Sequence, residues 1–219
     1  FLYNIGIYLY QLAIFIASFF NTKAKKLRIG QAEAFIVLKQ KIDPNTRYVW
    51  FHAASLGEFE QGRPVIEQLK KEKPDTKILL TFFSPSGYEI RKNYALADIV
   101  SYLPLDTASA AKKFVEMLNP SKAIFIKYEF WPNYLQALKA AGIPVYSISA
   151  IFRPGQIFFR WYGQWYKKLL QGIDHIFVQD KASLDLLKTH GVDKVSIAGD
   201  TRFDRVADLA AQAKTIPLV

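Results

Sequence analysis

The stretch Tyr48-Val-Trp-Phe-His-Ala-Ala-Ser-Leu-Gly-Glu58-Phe59 decides how the chain folds. Its β-branched and aromatic run, Tyr48 to His52, predicts a buried strand, and the residues from Phe59 onward have helical period. The small residues Ala53, Ala54, Ser55 and Gly57 let the backbone turn tightly between them. Glu58 therefore falls at a strand-to-helix corner. In an open α/β sheet such corners cluster beside the ligand crevice, outside the carboxyl ends of the strands. Two readings of Glu58 follow, a general base and an acidic first-turn residue favoured by the helix dipole. Spacing does not choose between them.

Working outward, apolar runs near Tyr48 to Ala53, Lys77 to Phe83, Ile99 to Leu103, Ala123 to Lys127, Val145 to Ala150, His175 to Gln179 and Val195 to Ala198 predict strands. Between them, Phe59 to Lys71, Ala108 to Leu118, Tyr134 to Ala141 and Lys181 to Thr189 have helical period. This alternation is the signature of a Rossmann-like, doubly wound, mostly parallel α/β sheet. The 219 residues, 51% hydrophobic and 15% aromatic, are ample for a core. With no cysteine and three scattered histidines (His52, His175, His190), a disulfide framework and a zinc site are not expected, and no cofactor is implied. Carboxylates, hydroxyls and cations carry any chemistry. No Walker or Gly-x-Gly-x-x-Gly run supports a nucleoside-triphosphate or dinucleotide enzyme.

Upstream of the strands, residues 1–20 carry no charge and predict an apolar membrane anchor helix, either spanning or lying in the interface. Residues 21–47 follow as a basic juxtamembrane segment, with Lys23, Lys25, Lys26 and Arg28 at its start, which places this side in the cytoplasm by the positive-inside bias. Residues 48–214 make the Rossmann-like domain. Residues 215–219 read as the start of a linker to a further carboxyl-terminal domain.

The formal charge of +10, from 29 Lys and Arg against 19 Asp and Glu, favours an anionic partner. Phe152 to Leu170 carries seven aromatics with Arg153, Arg160, Lys167 and Lys168 and no acid; Phe158, Trp161 or Tyr162, Trp165 and Leu169 fall at helical spacing. That stripe reads as core-facing or as an interfacial surface for lipid, and the apolar amino-terminal segment favours membrane over nucleic acid.

Other strand exits hold candidate groups. Ser84-Pro-Ser-Gly87 opens a helix, so Ser84 and Ser86 either hold an anion at a helix N-terminus or simply cap it. Asp106, closing Leu103-Pro-Leu-Asp106, reads as a cap for the next helix. Lys127-Tyr-Glu129-Phe-Trp-Pro-Asn133 sets Glu129 at the same sheet edge as Glu58, where two carboxylates can divide labour between taking a proton and stabilising charge. The plainer reading of this run is a surface pair of Lys127 with Glu129. His52 is expected to be a satisfied core histidine. Arg202, in Gly199-Asp-Thr-Arg-Phe-Asp204, is placed to meet an anionic substrate.

Taken together, His52-Ala-Ala-Ser-Leu-Gly-Glu58, Ser84-Pro-Ser-Gly87, Leu103-Pro-Leu-Asp106, Glu129-Phe-Trp-Pro-Asn133 and Gly199-Asp-Thr-Arg-Phe-Asp204 resemble the 3-deoxy-D-manno-oct-2-ulosonic acid (Kdo) transferases, which attach Kdo to the lipid A precursor. The resemblance implies the amino-terminal half of a GT-B glycosyltransferase at the cytoplasmic face of the inner membrane. It implies a CMP-Kdo donor, bound mostly by the carboxyl-terminal domain, and a phosphorylated glycolipid acceptor, lipid IVA, with no metal or nucleic acid. By motif, Glu58 is the general base of an inverting transfer, with Glu129 and Arg202 as transition-state stabilisers. Ser55, Gly57, Ser84, Ser86, Lys127 and Arg153 would line the substrate site. Two departures stand out: Arg202 replaces the usual Lys, and Ser149-Ala-Ile-Phe-Arg153 replaces an Asn-Ala-Arg-Leu-Ser run, displacing the arginine by two positions. The rival expectations are a lipid-binding module without catalysis and a GT-B transferase using another activated sugar.

Overall fold

A computed structural model of the chain describes residues 2–201. Seven parallel strands form one sheet: β1 (Val49–Ala53), β2 (Ile78–Phe82), β3 (Ile99–Tyr102), β4 (Lys122–Ile126), β5 (Val145–Ala150), β6 (His175–Val178) and β7 (Val195–Ile197). All seven fall where the apolar runs predict them. Their order, β3-β2-β1-β4-β5-β6-β7, reverses direction between β1 and β4. A crevice at the carboxyl ends of these two neighbours is the usual ligand site of such a sheet.

Alternate residues of β1 feed two cores. Trp50 enters one with Phe114, Phe125 and Tyr134, while Val49, Phe51 and Ala53 enter the other with Phe59, Ile66 and Phe82. The second face is covered by α3 (Leu56–Glu72) and α4 (Pro85–Arg91), the first by α5 (Ala108–Leu118) and α6 (Pro132–Ala140). Every residue of β1 and β2 is buried, as a sheet covered on both faces requires.

The amino-terminal region departs most from expectation. The apolar run forms α1 (Leu2–Ala17), of 16 residues, and among the described residues no helix is long and apolar enough to cross a membrane. Many of its large apolar side chains are exposed, Leu9 at 61%. The basic segment, for which the sequence assigned no element, forms a 20-residue helix, α2 (Thr22–Lys41), capped by Asn21, whose side chain accepts from the Lys23 and Ala24 amides at 2.8 and 3.1 Å. It packs through Leu27 and Ala34 onto Tyr102 at the sheet's edge, and Leu38 enters the main core. A Cβ at Gly30 would collide with the Tyr102 ring, so this close approach requires glycine. The aromatic stretch is likewise not one helix. Ile157–Phe159 and Trp161–Gly163 are 3-10 turns before α7 (Gln164–Gln171), because the Pro154-Gly155 pair starts a turn and Gly163 lies against the Ile157 carbonyl. Phe158 and Phe159 pack on Phe152 whereas Trp161 is 86% exposed, so the stripe is split between core and surface. The last helix among the described residues long enough to cover the sheet is α8 (Lys181–Thr189), capped by Asp180.

Asp106 caps a helix, but not the next one. Thr107 caps α5 through the Ala110 amide. The Asp106 carboxylate, 1% exposed, reaches across to the start of α6, accepting from the Asn133 amide at 3.1 Å and the Tyr134 amide at 3.0 Å. It also accepts from the Tyr3 hydroxyl at 2.6 Å. Burial raises its pKa to about 6, offset in part by these donors. Asp106→Ala would leave two helix-end amides and a hydroxyl unpaired. It should lower the unfolding free energy by about 2–4 kcal/mol in urea titration, against less than about 1 kcal/mol for an exposed cap such as Asn21→Ala.

Candidate active site

Glu58 and Glu129 are delivered to one crevice by the two strands at the reversal. After β1 the chain turns at Ala54 and Ser55, and Glu58 becomes the third residue of α3. Its Oε2 accepts the Ala54 amide at 2.6 Å. Ser55-Leu-Gly-Glu58 is thus half of a capping box: the glutamate turns back onto the amides before the helix, while Ser55 makes no side-chain capping bond. The first-turn reading of Glu58 holds, and the backbone contact fixes its carboxylate at the crevice. The signal for the capping box lay in the Ser-x-x-Glu spacing.

After β4, Lys127 adopts φ +63°, a left-handed conformation that a side chain disfavours. Its amide donates to Ile148 O at 2.8 Å and its carbonyl accepts from the Ser147 hydroxyl at 2.6 Å, so β5 holds the turn in place. The turn throws Glu129 inward, with its side chain 15% exposed, and leads to Trp131, the residue ahead of α6. The surface pair of Lys127 with Glu129 is not formed at ion-pair distance among the described residues; Lys127 acts on both carboxylates from further off.

The two carboxylates are electrostatically linked. Burial raises both pKa values, and for Glu129 the neighbouring Glu58 charge adds to it, pushing it up to about 8. For Glu58 the rise from burial is opposed by the Ala54 amide, Lys127 and the Ser55 amide. Glu129 is thus the carboxyl pushed further toward its protonated form, while the Ala54 and Ser55 amides and Lys127 favour charge on Glu58. Paired carboxyls in different surroundings can divide labour between taking and holding a proton.

Behind them lies a buried relay. The Trp131 indole donates to His52 Nε2 at 3.1 Å, and His52 Nδ1 lies 2.9 Å from Thr81 Oγ1, which also accepts from the Trp50 indole at 2.8 Å. Because Nε2 accepts, Nδ1 carries the proton. Complete burial drives the histidine pKa down to about 3, so His52 is neutral and the 3.9 Å approach of Glu129 to Nε2 is not an ion pair. His52 is the satisfied core histidine expected. Its partner Trp131, tilted against Phe83 at 4.8 Å between centroids, belongs to the Glu129-Phe-Trp-Pro-Asn133 run, though the sequence does not assign it this contact.

The other predicted residues are placed as follows. Gly57 is exposed with open space where a Cβ would stand, leaving the backbone beside Glu58 approachable. Ser84 caps α4, accepting from the Ser86 amide at 3.3 Å, and the two hydroxyls lie 3.0 Å apart, so the capping reading accounts for them. The Ser84 amide donates to Ala54 O at 2.7 Å and ties this corner to the Glu58 turn. Arg153 is exposed after β5, its backbone turned through Gln156, and the structure does not bring it to the carboxylates. Arg202 and the 215–219 segment lie outside the described residues; just before Arg202, Thr201 bonds to Ser149 and to the Gln61 carbonyl. Among the described residues no cluster of His, Cys, Asp and Glu could hold a metal ion.

Residues 26–205 match the family model described as 3-deoxy-D-manno-octulosonic-acid transferase (kdotransferase). Among curated proteins, the chain is 31% identical over 156 residues to the 3-deoxy-D-manno-octulosonic acid transferase of Aquifex aeolicus (strain VF5), covering 71% of this chain and 40% of that protein. It is 27% identical over 192 residues to that of Haemophilus influenzae, covering 84% of this chain and 44% of the relative. The chain thus spans about four tenths of the length of these relatives. Among solved structures, the fold is similar to UDP-GlcNAc 2-epimerase from Neisseria meningitidis bound to UDP-GlcNAc, with TM-score 0.56 and 18% identity over 75% of this chain and 50% of that one. A UDP-N-acetylglucosamine 2-epimerase from Rickettsia bellii gives TM-score 0.53 and 15% identity over 77% and 48%.

Glu129 carries a testable pH signature. With a folded pKa near 8 against about 4.5 unfolded, its burial costs nothing below the unfolded value, costs progressively more stability as pH rises from about 4.5 to 8, and levels off above 8. Glu129→Gln cannot titrate. Measured by urea unfolding, its stability relative to the unaltered protein should rise by about 4–5 kcal/mol between pH 4 and pH 8.5. A difference that stays flat with pH would show that Glu129 is not the protonated partner.

Proposed function

The chain belongs to the 3-deoxy-D-manno-octulosonic-acid transferase family, and we propose that it forms the acceptor-binding part of a glycosyltransferase that moves Kdo from CMP-Kdo to the lipid A precursor lipid IVA. The observation that carries this reading is the pair of electrostatically linked carboxyls, Glu58 and Glu129, brought together at the β1 and β4 exits.

In the proposed reaction Glu58 takes the proton from an acceptor hydroxyl as that oxygen attacks the anomeric carbon of Kdo. The anomeric carbon's bond to the phosphate oxygen breaks, and CMP leaves with the electron pair, so the configuration inverts in one displacement. CMP is a good leaving group, so the protein must supply position, a base and charge stabilisation. The Ala54 amide holds the Glu58 oxygen in place. Glu129, kept neutral, presents a hydrogen-bond donor beside the base without adding a second charge, and Trp131 and His52 hold that corner. Lys127 and Arg202 are assigned to the anionic groups of the substrates. Ser55, free of any capping bond, and Gly57 are assigned to the acceptor's approach. A separate donor-binding domain is assigned to the remainder of the relatives' length.

The same reading places the protein on the cytoplasmic face of the inner membrane, with α1 lying in the interface. The exposed Leu9, Leu12 and Ile16 of α1 supply apolar surface, and Trp165, whose ring lies 5.9 Å from that of Tyr3, adds an aromatic beside it. Lys23, Lys25 and Lys26 follow at the start of α2, where anionic headgroups would attract them.

Transfer of Kdo from CMP-Kdo to lipid IVA by the full-length protein tests the reading. Glu58→Gln should lower kcat by about 10²–10⁴-fold while the circular dichroism spectrum is unchanged. Retained activity would remove Glu58 as the base. Binding of lipid IVA with no transfer from CMP-Kdo would favour a lipid-binding module, and transfer from a different activated sugar would correct the donor.

A further inference from the structure

A second cleft lies away from the carboxylates, between α1 and α2. Its volume is about 370 Å³, and it is lined by Tyr10, Ile14 and Phe15 of α1, by Phe35 of α2, and by Pro104 and Leu105 from the loop after β3. A cleft this size is in the range that takes one small ligand or one acyl chain. None of Glu58, Glu129 and Lys127 lines it.

Arg28 and Gln31 also face this cleft from one side of α2, three residues apart. Arg28 Nε and Gln31 Nε2 are buried, and neither has a hydrogen-bond partner. The Arg28 guanidinium sits 5.5 Å from the Phe15 ring centroid, held by the ring's face and by no carboxylate among the described residues. Two buried donors without an acceptor are rare in native proteins and call for one. An acceptor that suits a guanidinium N–H and an amide N–H on adjacent helical turns is a phosphate. The apolar remainder of the wall suits a hydrocarbon chain. The cleft also borders the exposed apolar side of α1 and the basic start of α2, so charge and apolar surface point to the same source.

We propose that this cleft binds an anionic glycerophospholipid, with one acyl chain along Tyr10, Ile14, Phe15 and Phe35 and the phosphate accepting hydrogen bonds from Arg28 and Gln31. The bound lipid fills the space between α1 and α2 and thereby fixes α1 against the domain. This assignment does not depend on glycosyl transfer.

The probe is dihexanoyl phosphatidylglycerol, added below its micelle concentration to the full-length protein and followed by side-chain NMR of the Arg28 Nε–H and Gln31 amide and by calorimetry. Saturable one-to-one binding that shifts both signals is expected. Arg28→Met and Gln31→Leu should each weaken it about tenfold. Gln31→Leu removes a donor that has no partner in the lipid-free protein, so it should fold as stably as the original and keeps the test valid if Arg28→Met does not fold. Three results would overturn the proposal: no saturable binding, both variants binding as tightly as the original, or inorganic phosphate alone giving the same shifts at the same concentration. One-for-one displacement of the phosphatidylglycerol by lipid IVA would also overturn it, by making the cleft part of the acceptor site.

Discussion

The constraint on which the rest depends is the reversal of strand order between β1 and β4. These two parallel strands are neighbours, paired from Val49 with Lys122 to His52 with Phe125, and both run toward the same sheet edge. From there the chain leaves β1 for α3 on one face and β4 for α6 on the other. Their exits must separate, which opens a crevice floored by the strand ends. Any side chain in the first turns after these strands is delivered there with no further device. Glu58 and Glu129 occupy those turns, and their mutual influence is a consequence of topology before it is one of chemistry.

Holding two carboxyls in such a place has a cost, and the surrounding residues show how it is met. Glu58 is stabilised as an anion by backbone amides at the start of α3. Glu129 has no such amides in the described contacts; burial and the Glu58 charge raise its pKa, opposed by the Trp131 side chain and Lys127, and the neutral His52 ring at 3.9 Å adds no counter-charge. A protonated His52 would undo this arrangement, and complete burial prevents it. The indole of Trp131 donates to His52 Nε2, fixing which histidine nitrogen carries the proton, and the same side chain also meets Glu129. The left-handed turn at Lys127 is tolerated because β5 ties both its amide and its carbonyl.

Most of the sheet was legible in the sequence because strands covered on both faces read as short, mainly apolar runs; β1, β2 and β3 are buried throughout, and the remaining four strands follow the same run-and-helix alternation. The two glutamates were legible for the same reason: each stands a few residues past the end of a run. What could not be read depends on contacts between distant segments. The basic residues 21–47 gave no warning of α2, since its buried side, Leu27, Ala34 and Leu38, is narrow and is defined by Tyr102 and the main core. The aromatic stretch had helical spacing, yet Pro154, Gly155 and Gly163 break it into turns. Asp106 was recognisable as a cap, but Thr107 beside it serves α5, which frees Asp106 for Tyr134 at the start of α6, 28 residues along the chain and beyond any local pattern.

That long-range cap joins the two ends of the molecule's chemistry. Asp106 binds the Tyr3 hydroxyl of α1 and, on its other side, the first amides of α6. Asn133, in the same turn of α6, donates to Asn4 of α1 at 2.9 Å and to the Asp106 carbonyl at 2.5 Å. Trp131, two residues earlier, is the one that holds His52 and lies tilted against Phe83, whose ring in turn meets Tyr10 of α1 at 6.1 Å. Helix α1 is therefore bound to the Glu129 corner twice, by a buried carboxylate and by a ladder of three rings. Apolar contact alone would let α1 slide, because dispersion is non-directional. Hydrogen bonds to a buried acid do not permit that without leaving the acid unpaired. The position of the exposed apolar face of α1 is thus set relative to the two carboxylates, and a surface that engaged this face would meet the crevice at a defined distance and orientation.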